Sequence, residues 1–125
     1  MLYNWFMEKP EFRSFTRPNG HDEFQEFLQE LPSKDADKLV ATILRVQEHG
    51  LQDAARMEWI KPLDKNLYEL RSKVASNIQR AIYFHVVGSD FVITHGFTKK
   101  TQKTPASEIK HGKLLRDEFY EMDGE

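Results

Sequence analysis

Cysteine is absent from this 125-residue chain. That excludes a disulfide framework, thiolate metal sites and a thiol nucleophile, and with no oxidising signature the cytosol is the expected compartment. No apolar run approaches the ~20 residues that a membrane-spanning helix needs. The opening MLYNWFMEKPEF has no basic stretch followed by a long apolar core, so no secretory leader is expected. The five histidines (His21, His49, His85, His95 and His111) form no HxxxH pair, and no segment has metal-ligand spacing. No metal and no cofactor are therefore expected. A Walker loop, a GxGxxG turn and a GxSxG elbow are missing as well. The most local absence is of acid: no Asp or Glu falls between Asp90 and Glu108.

That local absence fits an uneven charge distribution. The formal net charge is −2, but residues 1–55 hold six Lys/Arg against ten Asp/Glu, residues 56–116 twelve against five, and residues 117–125 none against five. A basic middle lies between acidic flanks. Such a patch suits phosphate or an acidic partner, or is simply a solvated charged face.

The length suits one domain over residues 1–125, large enough to bury a core without staples. A short strand is expected at Glu11–Thr16, ending in a Pro-Asn-Gly turn. Phe24, Phe27, Leu28 and Leu31 recur at i, i+3, i+4 and i+7, which predicts an amphipathic helix stopping at Pro32. Ser33 reads as the N-cap of a second helix with core positions Ala36, Leu39, Val40, Ile43, Leu44 and Val46, ending at Gly50. With almost no linker, the two form a helix hairpin. Residues 51–65 read as a connecting loop with at most a short helical turn, anchored by Trp59, Ile60 and Leu63. Strands are expected at Leu67–Arg71, Arg80–Val87 and Phe91–Phe97, the last two joined by a turn in VVGSDFV. Thr104 reads as an N-cap with Pro105 at the first helical position, opening a helix to about Tyr120 with apolar positions Ile109, Leu114, Leu115 and Phe119. The fold class is α+β: a small, mostly antiparallel sheet with an N-terminal helix hairpin and a C-terminal helix, the helices against one side.

Chemistry concentrates in cations on or beside strands: Arg71 and Arg80 at the two ends of SKVASNIQ, then Lys99, Lys100 and Lys103 after the last strand. Arg71 shares a face with Glu69 by period-two geometry, so a structural ion pair is the plain alternative. Convergent cations suit a phosphate whose charge grows in a transition state. RNA carries its own nucleophile in the 2′-OH, so its cleavage needs positioning, cations, an acid and a base. The candidates for proton transfer are His95 and His85, then Tyr83, and last a lysine with a depressed pKa.

Three blocks carry a resemblance. LYELR (Leu67–Arg71), RAIYF (Arg80–Phe84) and HGFTKKTQKTP (His95–Pro105), in that order, resemble the RelE/ParE superfamily of type II toxin–antitoxin toxins, in particular its phage-related HigB-like branch. EFLQELP (Glu26–Pro32) resembles that branch's opening. The resemblance implies a RelE-like, microbial-RNase-type fold and a metal-independent endoribonuclease that cleaves mRNA, commonly on the ribosome. It also implies a cognate helix-turn-helix antitoxin (HigA-like) in a toxin–antitoxin hetero-oligomer. On this reading Arg71, Arg80, Lys99, Lys100 and His95 form the catalytic set, and Phe97, Lys103, Lys73 and Tyr83 contact RNA. Two other readings remain open: a ParE-like toxin that poisons DNA gyrase, and an inactive prophage-derived binding module.

Overall fold

The structure is a computed structural model and describes residues 9–123. Strand β1 (Glu11–Ser14) leads into helix α1 (Glu23–Glu30), helix α2 (Ser33–His49) and a short helix α3 (Leu51–Arg56). Strands β2 (Ile60–Asp64), β3 (Leu67–Val74), β4 (Asn77–Val87) and β5 (Asp90–Lys99) follow, and helix α4 (Ala106–Asp123) closes the chain. The five strands form one sheet in the order β1-β5-β4-β3-β2, antiparallel except for the parallel β1–β5 pair. The architecture is α+β and compatible with the RelE-like fold. Among the described residues no helix is long and apolar enough to cross a membrane.

Helix α1 starts where Asp22 caps it, its carboxylate accepting from the Gln25 amide at 3.0 Å. Helix α2 ends at Gly50, whose φ of 91° only glycine adopts without strain. Central strand β4 alternates its apolar side chains between two cores. Phe24, Leu39, Val46, Leu70, Ala81 and Tyr83 pack between the sheet and α1–α3. Leu67, Ile82, Phe84, Phe97, Leu115 and Phe119 pack between the opposite face and α4. Each large aliphatic among them contributes about 1.5–3 kcal/mol when fully buried. Helices therefore cover both faces, not one. The double-sided apolar pattern of AIYFHVV requires this, because a sheet buried on one face only would have polar residues at every second position.

Several expectations change in detail. Residues 51–65 are not a loop: they hold α3 and edge strand β2, where Pro62 is tolerated at the sheet margin. SKVASNIQ is not a long connection either. Strands β3 and β4 run through it and turn at Ala75–Ser76, with Ala75 in the left-handed region at φ 56°. Pro32 rather than Ser33 is the N-cap of α2, with no side-chain capping bond. Val40 and Leu44 on α2 and Leu114 on α4 face solvent, at 39%, 57% and 50% exposure. The buried stripe on α2 instead takes in Asp35, which accepts from Gln79 Nε2 at 2.8 Å, and Thr42. Helix α4 comes so close to the sheet that a Cβ on Gly112 would lie 2.9 Å from Ile82 Cγ2.

Candidate functional site

Three cross-strand rows on the α4 side of the sheet build the site. Lys73 of β3, Ile78 of β4 and Lys99 of β5 are in register; two residues further along, Arg71, Arg80 and Phe97 form the next row. Glu69, Ile82 and His95 form the third. Residues in register project to the same face, so six of the nine sequence-predicted residues share this side: Lys73, Lys99, Arg71, Arg80, His95 and Phe97.

A bulge in β5 makes this alignment possible. Ile82 pairs with His95, but the next residue, Tyr83, pairs with Ile93, leaving Thr94 as the extra residue. Uninterrupted alternation from Phe91 and Ile93, which face the α1–α3 core, would send His95 and Phe97 to that same face. The bulge reverses the phase and turns both toward α4. Thr94 Oγ1 fixes it by donating to the Ile82 carbonyl at 3.1 Å and lying 2.8 Å from His95 Nδ1.

Glu69, fully buried, is the hub of the cations. Arg71 Nε donates to Glu69 Oε2 at 2.9 Å, Arg71 Nη2 pairs with the same oxygen, and Thr104 Oγ1 donates to Oε1. Arg80 Nε lies 4.0 Å from Oε1 without a hydrogen bond. The two guanidinium groups then turn outward to the segment between β5 and α4. Arg71 Nη1 donates to Gln102 Oε1 at 2.8 Å and Nη2 to the Gln102 carbonyl at 3.2 Å. Arg80 Nη1 donates to the Lys103 carbonyl at 3.2 Å and Nη2 to the Thr101 carbonyl. Three successive backbone carbonyls are thus held by two arginines, and the exposed side chains of Lys99, Lys100 and Lys103 surround them.

The arginines differ in access. Arg71 has 19% of its side chain exposed and Arg80 none. Burial pushes the Arg80 guanidinium pKa down; Glu69 opposes that and Arg71 adds to it. Arg80 therefore works from within, as the anchor of the lysine-bearing segment, while Arg71 reaches the surface. Thr104, read from sequence as a helix cap, spends its hydroxyl on Glu69 instead.

His95 lies behind Phe97, with 4% exposure. Its Nε2 is 3.0 Å from Glu108 Oε1, and its ring meets His111 edge-on with centroids 4.7 Å apart. Burial, and next the neighbouring His111, hold its pKa below the ordinary histidine value, which favours the neutral ring. His111 Nε2 lies 2.7 Å from Glu23 Oε1, and Arg17 bridges Glu23 and Glu118. This polar chain ties α1 to α4 beside the site. Glu108 and His111 carried no signal in sequence, because neither belongs to a recognisable spacing.

Of the predicted RNA contacts, Phe97 is on this face but packed, and Tyr83 is on the other. Phe97 is 8% exposed, packed in the second core with the Arg80 guanidinium 5.8 Å from its ring centroid, so no open ring face is left for a base. Tyr83 lies on the opposite face of the sheet in the first core, stacked on Tyr68 at 5.3 Å, and burial pushes its hydroxyl pKa up. His85 accompanies it on that face, against Phe91. Among the described residues no group of three His, Asp or Glu side chains is placed to hold a metal ion.

No curated protein matches the chain. One family does: Phage derived protein Gp49-like, whose model matches residues 26–116, from within α1 through most of α4. That family is associated with the toxins of toxin–antitoxin systems. The matched span contains Glu69, Arg71, Arg80 and the whole lysine-bearing segment. The chain belongs to the Gp49-like family of phage-derived proteins.

Proposed function

We propose that this protein is the toxin of a type II toxin–antitoxin system of the RelE/HigB kind, an endoribonuclease that cleaves mRNA, on the ribosome, to stop translation and growth. The observation that carries this reading is the pair of arginines, in register across two strands, holding a lysine-rich, acid-free segment by its backbone. Cations arranged on rigid strands suit a phosphodiester: Arg71 and Lys99, Lys100 and Lys103 receive the backbone phosphates, and Arg80 keeps the segment in place.

In this mechanism the substrate's 2′-OH attacks the adjacent phosphorus in line. Its proton leaves to a base, negative charge grows on the nonbridging oxygens, and the 5′-oxygen departs with a proton. The result is a 2′,3′-cyclic phosphate and a 5′-OH. Cations at the phosphorane supply the electrostatic part, about 10²–10³ in rate for one well-placed donor. His95 lies behind this face with its ring nitrogens against Thr94 and Glu108, and so positions the site rather than meeting the substrate. The reaction needs no nucleophile from the protein, in keeping with the absence of cysteine. Inhibition falls to a cognate helix-turn-helix antitoxin in a hetero-oligomer, which blocks the cationic segment or the ribosome's approach to it.

The test is inducible expression of the wild type, of Arg71→Ala, and of the exposed triple variant Lys99→Gln/Lys100→Gln/Lys103→Gln, with mapping of new mRNA 5′ ends. Cuts with 5′-OH ends that appear in the wild type and vanish in the folded triple variant are expected. Placement of the cuts in phase with the reading frame assigns them to the ribosome. Growth arrest with intact mRNA overturns the ribonuclease assignment and turns the search to replication.

A further inference from the structure

The face opposite the lysine segment holds a feature that RNA cleavage does not use. A cavity of about 510 Å³ opens between β2–β5, α3 and the β4–β5 turn. Its lining includes Tyr68, Tyr83, His85 and Phe91, with Lys9 and Lys61 at its rim. Two of these, Tyr83 and His85, are residues that the sequence marks for chemistry and the cationic site leaves aside.

The cavity is walled with rings. Tyr68 and Tyr83 stack with centroids 5.3 Å apart and planes 23° from parallel. His85 stacks on Phe91 at 4.5 Å, and its orientation is set by the 2.8 Å contact between its Nε2 and the Gly88 carbonyl. Such walls favour a flat, polarisable guest over a branched aliphatic one. Tyr83 is 1% exposed, yet among the described residues its hydroxyl has no hydrogen-bond partner. The fully buried unpartnered side-chain atoms among the described residues are Ser72 Oγ and Arg80 Nε, so the Tyr83 hydroxyl keeps access to a partner that a ligand in the cavity supplies. Burial, and next Tyr68, raise its pKa, so it is a neutral donor. The lining has two ammonium groups and no carboxylate. The volume lies within the ~300–1,000 Å³ typical of small-molecule sites.

We propose that this cavity binds a small planar aromatic molecule bearing one anionic group, its ring among Tyr68, Tyr83, His85 and Phe91 and its anion at Lys61 and Lys9. Charge complementarity and ring stacking select that chemistry, and nucleoside monophosphates and aromatic carboxylates both carry it. The site stands whether or not the chain cleaves RNA, since it shares no residue with the cationic face.

The experiment is an NMR titration of the full chain with adenosine monophosphate and, separately, with indole-3-carboxylate. Saturable shifts at Tyr68, Tyr83 and His85 with a Kd below about 1 mM are expected for at least one probe. Saturation by the nucleotide alone assigns a phosphate-bearing ligand, and by the carboxylate alone a carboxylate-bearing one. Lys61→Glu weakens binding at least fivefold, Tyr83→Phe weakens it while keeping the ring wall, and Lys103→Gln leaves it unchanged. No saturation up to several times that concentration, equal affinity in Lys61→Glu, or shifts confined to residues 99–103 would each overturn the proposal.

Discussion

Arg71 and Arg80 stand directly opposite each other across β3 and β4, one partly exposed and the other completely enclosed. Two like charges in register repel, and the arrangement holds because Glu69 lies one row behind them and three backbone carbonyls lie in front. The enclosed arginine fixes a loop, and the accessible one meets what the loop meets.

The two arginines therefore respond differently to substitution. Arg80→Lys keeps the charge but has no planar fork to span the Thr101 and Lys103 carbonyls. It is expected to lose about 2–4 kcal/mol of stability by urea unfolding, with faster amide exchange over residues 100–104. Arg71→Lys is expected to cost under about 2 kcal/mol while lowering the RNA cleavage proposed above about 10²-fold. Equal losses of stability in the two variants would contradict this division.

Glu69→Gln keeps the side chain's shape and removes the countercharge between two arginines. Because the site is fully buried, the loss is expected near 3 kcal/mol. Urea midpoints at low and high salt check it, and a change under about 0.5 kcal/mol would mean that the hub is dispensable.

Thr94→Val tests the bulge. The variant is nearly isosteric but cannot donate to the Ile82 carbonyl or meet His95 Nδ1. An unsatisfied buried carbonyl costs about 1–3 kcal/mol, and the His95 ring resonances are expected to shift with it.

Gly96→Ala places a Cβ 2.7 Å from Phe27 Cε2 and 2.9 Å from the Arg80 carbonyl. The clash forces α1 off the sheet, at about 1–3 kcal/mol. Adding Phe27→Leu opens the space, and the double variant is expected to recover part of that loss.

Acid sensitivity follows from His95. Its folded pKa is lowered, so the native state binds fewer protons than the unfolded chain once pH falls below the ordinary histidine value. Its contribution is intact above roughly pH 6.5 and is lost as pH drops toward the folded pKa, at no more than about 1.4 kcal/mol per pH unit for one proton. His95→Asn is expected to flatten the stability profile between roughly pH 7 and 5.5. Glu23 and Glu118 act lower down: their pKa values are depressed, so they stabilise above the ordinary carboxylate range and lose that effect as pH falls through their folded values. A His95→Asn profile as steep as the wild type's would assign the acid limb to those carboxylates.

The sequence by itself determined the α+β class, the order of α1, α2, the hairpin strands and α4, and the presence of a cationic, acid-free segment after the last strand. These are local properties, written in apolar periodicity, in Gly50 and Gly88 at turns, and in charge counts. It also put Arg71 and Arg80 within reach of each other, because one connection joins them. Tertiary structure alone decided what each does. Whether Phe97 and His95 face α4 or α1 depends on one extra residue at Thr94, and a bulge shows itself only once β5 has a partner to be out of step with. Whether an arginine is free or enclosed depends on where the carbonyls of Thr101, Gln102 and Lys103 come to rest, and backbone carbonyls carry no residue-specific signature in a sequence. Tyr83 is the opposite case: three residues beyond Arg80 on the same strand, it falls on the other face by period two alone, which the sequence already contains.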